Sequence, residues 1–258
     1  MTVYSWNMLF RNPDLSGALA FIRNAEFDVF CLQEVPERFL SELEALPFHF
    51  AKAVDVERLS GERQKVYLVT LSRFPIAKTG IVPFPEYWER LPLRSKAAVY
   101  ALRPFHFSRI RDRNGFWTDL QAPHGTIRVF NVHLVLAHPR FRIEELERAM
   151  LERDPALPTI VCGDFNILES PHITPLNWIL GGSILDTLLF RRERAEIERR
   201  FSRHALTNAL SGQVTHPFSR SQLDHILHSP HFRTKRAEAL ADSRGSDHLP
   251  VRAELDYI

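Results

Sequence analysis

Two oxygen-bearing side chains, Asp164 and Asn166, stand two residues apart directly after an apolar run. The run from Thr159 to Cys162 predicts a buried strand, and Gly163 marks its break. Because side chains alternate along an extended chain, the carboxylate and the carboxamide would point the same way at the end of this strand. Such a pair suits a hard cation and a phosphate oxygen held by that cation. Gly, Asp and Asn are also common in turns, so the segment read alone fits a simple turn equally well.

Polar groups stand at the ends of four further apolar runs. Asn7 and Glu34 end two runs near the start of the chain, His133 lies near the end of a third, and Asp247 and His248 precede the last one. Any one of them alone can be a cap, a turn or a hydrogen-bonded core histidine. Buried carboxylates cost free energy unless a cation pairs with them, so the shared position of these residues predicts a metal-dependent site.

A further acidic residue, Asp224, lies inside the apolar run Leu223–Leu227. An aspartate inside a strand needs a partner, and a histidine that acts as a base needs a group that fixes its tautomer. Pairing Asp224 with His248 meets both needs.

Arginine supplies most of the basic charge and is clustered, although the formal net charge is only +2. A loop with Tyr87, Trp88, Arg90 and Arg94 has the composition that grips phosphates and stacks on bases. Solvated helix faces or loops are the simpler explanation of arginine clusters. The clusters lie in a predicted helix (Arg191, Arg192, Arg194, Arg199, Arg200 and Arg203) and in a second basic stretch (Arg103, Arg109, Arg111 and Arg113).

Hydrophobic periodicity predicts strands and helices in alternation, with no internal repeat. Strands are predicted at Thr2–Asn7, Asp28–Glu34, Val66–Leu71, Ala97–Leu102, Trp117–Gln121, Ile127–Leu134, Thr159–Cys162, Leu223–Leu227 and Val251–Leu255. Helices are predicted at about Ser16–Ala25, Pro36–Leu46, Phe141–Glu152, Thr174–Leu180 and Arg191–His204, and loops at Val82–Ser95 and Gly212–Ser221.

The length of 258 residues and the hydrophobic content of 45% suffice for one large core, which predicts a single domain over residues 1–258. Cys31 and Cys162 lie inside apolar runs, as buried thiols of a reducing compartment do. The chain starts without a signal-like segment and has no apolar run of about 18 residues. We therefore expect a cytoplasmic protein without a transmembrane segment.

Seven short motifs, in order along the chain, resemble those of the endonuclease/exonuclease/phosphatase superfamily, the deoxyribonuclease I-like fold. The resemblance spans almost the whole chain. It implies a four-layered α/β sandwich, in which two mixed, mostly antiparallel sheets pack face to face between helices, with the active site where the motif-bearing loops meet. The motifs are Ser5–Asn7, Leu32–Val35, Leu71–Ile76, Asn131–Leu134, Gly163–Asn166, Leu223–Leu227 and Ser246–Pro250.

The resemblance also implies how the site would bind its metal and substrate. Glu34 would be the principal ligand of Mg²⁺, or of Mn²⁺ as a substitute, supported by Asn7 and Asp247. Asp164 and Asn166 would orient the attacking water and the scissile phosphate. Hydrolysis of a phosphodiester needs this combination of charge neutralisation and an aligned water.

The remaining roles fall to two histidines and to the aromatic and basic loop. By the resemblance, His248 with Asp224 would assist the nucleophile, and His133 would stabilise the phosphoryl oxygens or the leaving group. Trp88 and Arg94 are expected to contact the substrate together with Asn166 and His133.

The expected function is divalent-metal-dependent phosphodiester hydrolysis by in-line attack of an activated water, with DNA or RNA as the first expectation for the substrate. The alternative enzyme is a phosphatase or phospholipase-C-like hydrolase of a phospholipid or a small phosphorylated metabolite. A binding protein on an inactive form of this fold is a third class. It would not need Glu34, Asp164, Asn166, Asp247 and His248 together.

Overall fold

The computed structural model describes residues 1–60, 62–102, 109–189 and 192–258, so Arg103 and Arg191 lie outside the described residues. Two sheets form the centre of the fold, and each contains one parallel pair of strands among antiparallel ones. The sandwich of two mixed, mostly antiparallel sheets flanked by helices is thereby confirmed. The first sheet contains β1 (Thr2–Asn7), β2 (Val29–Pro36), β3 (His49–Ser60), β4 (Glu62–Ser72), β6 (Arg109–Arg111), β12 (Phe232–Ala239) and β13 (Val251–Tyr257), in the order β12-β13-β1-β2-β4-β3-β6. The second contains β5 (Ile76–Pro83), β7 (Asn114–Ala122), β8 (Gly125–His133), β9 (Thr159–Asp164), β10 (Thr207–Asn208) and β11 (Asp224–His228), in the order β10-β11-β9-β8-β7-β5.

The helices cover the outer faces of the two sheets. The first of them begins at the N-cap Asp14, whose side chain accepts a hydrogen bond from the Gly17 amide at 2.8 Å, and it buries Ala18 and Ile22 one turn apart. Among the described residues, no helix has the length and apolar content that crossing a bilayer requires. The helices are α1 (Leu15–Asn24), α2 (Leu40–Glu44), α3 (Leu93–Ala101), α4 (Pro139–Leu151), α5 (Pro175–Ile179), α6 (Ile184–Leu188) and α7 (Arg192–Arg203), with 3₁₀ turns at Glu37–Phe39 and Trp88–Arg90.

The core has three apolar layers because successive side chains of a buried strand face opposite sides. Between the sheets, Cys31 of β2 and Cys162 of β9 are fully buried among aliphatic side chains, and both are free thiols as predicted. Phe30 faces the outer layer under α1 and α2, and Val161 faces the outer layer under α4 and α7. A polar bridge joins the sheets beneath the site: Gln33 Nε2 donates to Asn131 Oδ1 at 2.8 Å.

One predicted element is wrong and several were not predicted. The strand expected at Ala97–Leu102 is part of α3, since a short run of alanines and larger apolar residues fits a helix as well as a strand. Within the loop predicted at Val82–Ser95 lie the end of β5, the 3₁₀ turn and the start of α3. Strands β3, β5 and β12 were not predicted; β12 is an edge strand rich in charged side chains.

Candidate active site

Two neighbouring parallel strands, β8 and β9, place His133 beside Asp164 as register partners. The strands approach so closely at Gly163 that a Cβ there would lie 1.8 Å from the carbonyl oxygen of Val132. Gly163 also has a φ of +148°, which side chains rarely adopt. The glycine is therefore required by both space and backbone conformation, and it fixes the position of Asp164.

Glu34 is directed at the site by a β-bulge. The pairing of β2 with β4 shifts register between Leu32 and Val35, and Glu34 within the bulge has a φ of +54°. Bulges redirect side chains, and a non-glycine residue at positive φ stores strain that is concentrated at functional sites. The Phe10 amide donates to Glu34 Oε2 at 3.2 Å, which orients the carboxylate.

Asn7 links the two carboxylates. Its Nδ2 donates to Asp164 Oδ2 at 3.0 Å and to Glu34 Oε1 at 3.4 Å, while its Oδ1 accepts from the Leu9 amide at 3.1 Å. In this structure the nitrogen of Asn7, and not its oxygen, faces the carboxylates. Asn7 thus joins Glu34 and Asp164, and its predicted role as a metal ligand stays a prediction.

Asp224 and His248 form the predicted pair. His248 Nδ1 lies 2.8 Å from Asp224 Oδ2, and its Nε2 lies 3.7 Å from Asp164 Oδ2. Asp224 of β11 is the register partner of Asp164, so the antiparallel pairing of β11 with β9 brings the pair to the site. Burial alone would lower the pKa of His248, but Asp224 and Asp164 outweigh it and raise that pKa to about 10. The two carboxylates therefore favour the protonated form of the imidazole.

His133 makes a second histidine–aspartate pair that the sequence did not reveal. Its Nδ1 lies 2.7 Å from Asp55 Oδ2, and its Nε2 lies 3.7 Å from Asp164 Oδ2 and 3.8 Å from Glu34 Oε1. Burial lowers the pKa of His133, but Asp55 and then Asp164 and Glu34 raise it to about 9. Behind this pair, the buried Arg113 donates to the His133 carbonyl and to Glu145.

Asn166 follows Asp164 in a tight turn. Its amide donates to Asp164 Oδ1 at 2.8 Å, its Nδ2 donates to the Leu134 carbonyl at 2.8 Å, and its φ is +53°. The alternative of a turn was thus partly right, because this segment is both a turn and part of the site.

Asp247 lies next to a histidine that the sequence did not single out. His216 Nε2 lies 3.7 Å from Asp247 Oδ2, and ligand atoms of His216, Asp247 and His248 all lie within 4.8 Å of one another. Burial raises the pKa of Asp247, but His216 and His248 lower it to about 2.

The oxygen donors fit a hard divalent cation. Glu34 and Asp164 are partly or fully buried carboxylates held next to each other by Asn7, and Asp247 adds a third carboxylate at the same cleft. Carboxylate oxygens are the donors that Mg²⁺ and Mn²⁺ prefer, so the residues suit the predicted metal.

A cleft of about 650 Å³ opens over these groups. Trp88, which lies outside the seven motifs in the sequence, lines this cleft. Arg94 is not among the residues that line it. Arg94 instead donates to the carbonyl oxygens of Trp178 and Gly182, so the structure does not bring it to the site. The predicted site residues that line the cleft are Asn7, Glu34, Trp88, His133, Asp164, Asn166, Asp247 and His248.

The arginines of α7 are largely committed to contacts within the chain. Arg194 bonds to Glu169 and, through Nη1 at 2.8 Å, to His225 Nε2, while Arg199 and Arg200 pair with Glu196. The basic cluster on this helix therefore behaves as the solvated or structural helix face that was its alternative explanation.

Comparison with known proteins shows which solved structures share the fold. A structure of an endonuclease/exonuclease/phosphatase from Beutenbergia cavernae is similar with a TM-score of 0.69 at 19% identity, covering 100% of this chain and 71% of that one. A mannosyl-6-phosphatase from Bacteroides thetaiotaomicron is similar with a TM-score of 0.65 at 20% identity, covering all of both chains. The human Nocturnin catalytic domain, solved with a bound sulfate anion, gives a TM-score of 0.65 at 17% identity and covers 100% of this chain and 93% of that one.

At these identities the structures show a shared fold. No curated protein sequence matches the chain. The sequence profile of the Endonuclease/Exonuclease/phosphatase family matches residues 4–248, a range that contains every residue of the candidate site. The chain therefore belongs to the endonuclease/exonuclease/phosphatase family of phosphoester hydrolases.

Proposed function

We propose that the protein is a divalent-metal-dependent phosphodiesterase that uses water as the nucleophile. The observation that carries the proposal is the placement of Asp164. Its Oδ2 receives a hydrogen bond from Asn7 and lies 3.7 Å from the Nε2 atoms of both His133 and His248. One carboxylate oxygen thus faces two imidazoles, and both the oxygen and the imidazoles line the cleft.

Asp164 is the group placed to orient the attacking water and to accept its proton. Its other oxygen, Oδ1, is occupied by the Asn166 amide at 2.8 Å, so Oδ2 is the atom that faces the cleft. Because β9 and Gly163 fix the backbone here, the carboxylate keeps its direction without a substrate.

His248 and His133 are placed to donate hydrogen bonds to the phosphoryl oxygens. Each has its Nδ1 held by a buried aspartate, so its Nε2–H is free to face the substrate. The neighbouring aspartates raise the pKa of both rings and so favour their cationic forms, and a cation stabilises the charge that develops on the phosphoryl group. This proposed role of His248 as a donor stands beside its predicted role of assisting the nucleophile.

Glu34, with Asp164 and Asp247 near it, would hold the cation. When bound, a divalent cation supplies charge neutralisation on the non-bridging oxygens and lowers the pKa of a bound water. Asn7 and the Phe10 amide keep the Glu34 carboxylate in place for this purpose.

The prediction of a nucleic-acid substrate is supported by one feature of the cleft and is not supported by the arginines. Trp88 lines the cleft and offers a stacking surface, but Arg94 and the contacts of α7 described above do not provide a basic track toward the site. The phosphodiester itself, and not a nucleic acid, is what the site geometry supports.

The test is hydrolysis of methyl 4-nitrophenyl phosphate with Mg²⁺, with Mn²⁺ and with a chelator. We expect metal-dependent release of nitrophenol that Asp164→Asn abolishes and that Asp256→Asn, a control on β13 whose side chain is 46% exposed, leaves unchanged. Single-stranded DNA, RNA and 4-nitrophenyl phosphate are assayed in parallel across a salt series, since contacts to a nucleic-acid backbone weaken steeply with salt. Full activity in the chelator, or in a folded Asp164→Asn protein, would contradict the proposal.

A further inference from the structure

We infer that the substrate carries an apolar substituent, such as a hydrocarbon chain, that fills the part of the cleft beyond the carboxylates. This inference rests on the proposed function and names the substrate class of the same site. It comes from the walls of the cleft, which are far more apolar than a phosphate-binding site needs.

Helices form one apolar wall. Val99 of α3 and Leu176 of α5 line the cleft, and Leu180 lies directly after α5. Ser95 Oγ of α3 donates to the Ile179 carbonyl at 2.9 Å, so the two helices are fastened to each other and the wall is built in. Aliphatic side chains on fastened helices form a preformed surface, which lowers the ordering cost of binding an apolar group.

Strands and loops form a second apolar part of the wall. Val56 of β3, Ile110 of β6 and Val135 after β8 face the same cleft. Val135 packs in one apolar cluster with Tyr87 and Phe141, which extends this wall below the surface. A concave site with mostly apolar walls and a few polar groups at one end is the usual form of a pocket for a small amphipathic ligand.

Charged groups lie at the site end of the cleft or are already paired. Arg113 bonds to Glu145 and to the His133 carbonyl, and Glu86 accepts the Asp112 amide at 2.8 Å. Arg58 acts electrostatically on both Glu34 and Arg11. A polyanion would have to bury further phosphates against aliphatic side chains, which costs free energy unless cations pair with them. A substrate with one phosphodiester and a hydrocarbon chain fits both ends of the cleft.

The same helices carry apolar side chains on their outer surface. Leu93 of α3 is 83% exposed, and Trp178 of α5 and Leu188 of α6 are also exposed. A chain that is longer than the cleft would therefore leave it along an apolar surface.

The test is a series of alkyl 4-nitrophenyl phosphates from methyl to octyl, assayed as monomers with Mg²⁺. We expect kcat/KM to rise with chain length, by up to about fourfold for each methylene that becomes fully buried, and then to level off when the cleft is full. Leu176→Asn should flatten this rise, so that the ratio of kcat/KM for the octyl ester to kcat/KM for the methyl ester falls toward one. Leu151→Asn is the matched control, because Leu151 at the end of α4 is 76% exposed and does not line the cleft, so it should not alter the rise.

If Leu176→Asn does not fold, as judged by circular dichroism, Val99→Thr makes the same test with a side chain of nearly the same size. Failure of the two proposals is distinguishable. No metal-dependent hydrolysis of any ester contradicts the proposed phosphodiesterase, whereas equal kcat/KM for methyl and octyl esters contradicts only the apolar substituent.

A short-chain phospholipid, assayed below and above its micelle concentration, identifies the source of the chain. A rate of hydrolysis that follows the monomer concentration indicates that the substrate is a dissolved amphiphile. A rate that rises at the micelle concentration indicates that the substrate is an aggregated lipid. Hydrolysis of this lipid no faster in either range than hydrolysis of glycerophosphocholine, which has the same phosphodiester and no acyl chains, would overturn the inference.

Discussion

Replacing Gly163 by alanine should damage both stability and catalysis. The added Cβ would lie 1.8 Å from the Val132 carbonyl oxygen, and contacts under 3.0 Å essentially do not occur, so β8 and β9 must separate by at least 3.0 − 1.8 = 1.2 Å. The φ of +148° adds about 1–3 kcal/mol of backbone strain for a residue with a side chain. Loss of one or two hydrogen bonds between the strands adds about 1 kcal/mol each.

The matched control is Gly125→Ala. Gly125 also has a positive φ, +116°, but a Cβ there would meet nothing within 4 Å, so this variant carries the strain without the clash. In urea unfolding, the free energy of unfolding of Gly163→Ala should be lower than that of Gly125→Ala by about 1–2 kcal/mol. This difference is the contribution of the broken hydrogen bonds.

Activity is the second measurement for this pair of variants. A displacement of 1.2 Å at Asp164, the next residue, should reduce kcat/KM for methyl 4-nitrophenyl phosphate by about 100-fold, because a misplacement of about 1 Å has that effect in an active site. Gly125→Ala should keep wild-type activity. Equal stability of the two variants, or full activity in a folded Gly163→Ala protein, would refute the reasoning.

Three further predictions concern the charged groups. Glu34→Gln should weaken Mg²⁺ binding in a folded protein, because a carboxylate that faces the cleft becomes neutral; calorimetric titration with unchanged affinity would remove Glu34 from the metal site. His248→Ala, Asp224→Asn and the double variant should show losses of kcat that do not multiply, because the 2.8 Å contact makes the two residues one unit; independent losses would argue against that. In metal-free protein the His133 ring should titrate at about 9 by NMR, and Asp55→Asn should lower that pKa, since Asp55 is the strongest of the groups that raise it. The stability from this pair is present in full below about pH 6.5 and is lost as the pH rises through about 9, so a midpoint that stays in place in Asp55→Asn would contradict the pairing.

The parts of the site that could be predicted lie at the ends of strongly apolar strands. Asn7, Asp164 and Asp224 interrupt such runs, and an interruption by a polar residue is visible in the sequence. The contact of Asp224 with His248 was predicted from chemistry and is confirmed at 2.8 Å. The residue types at these positions were enough to predict a site, because burying such polar groups without partners costs much free energy.

The parts that could not be predicted depend on pairings between distant segments. Asp55 lies within β3, a strand whose charged residues hide the apolar pattern, and it meets His133 only because the two sheets pack face to face. His216 is in a loop that was correctly predicted as a loop, but no local pattern distinguishes it from an ordinary surface histidine. The composition of the loop around Arg94 predicted a contact with phosphate. In the structure, the Arg94 guanidinium instead donates its hydrogen bonds to two backbone carbonyl oxygens.

The two buried thiols allow the rate at which the two sheets separate to be measured. Cys31 and Cys162 contact each other across the layer between the sheets, on the strands that carry Glu34 and Asp164. A thiol reagent can reach them only when the sheets part, and that same event separates the carboxylates of the active site. The rate of thiol labelling therefore reports how often the catalytic centre is taken apart, under native conditions and without any substrate.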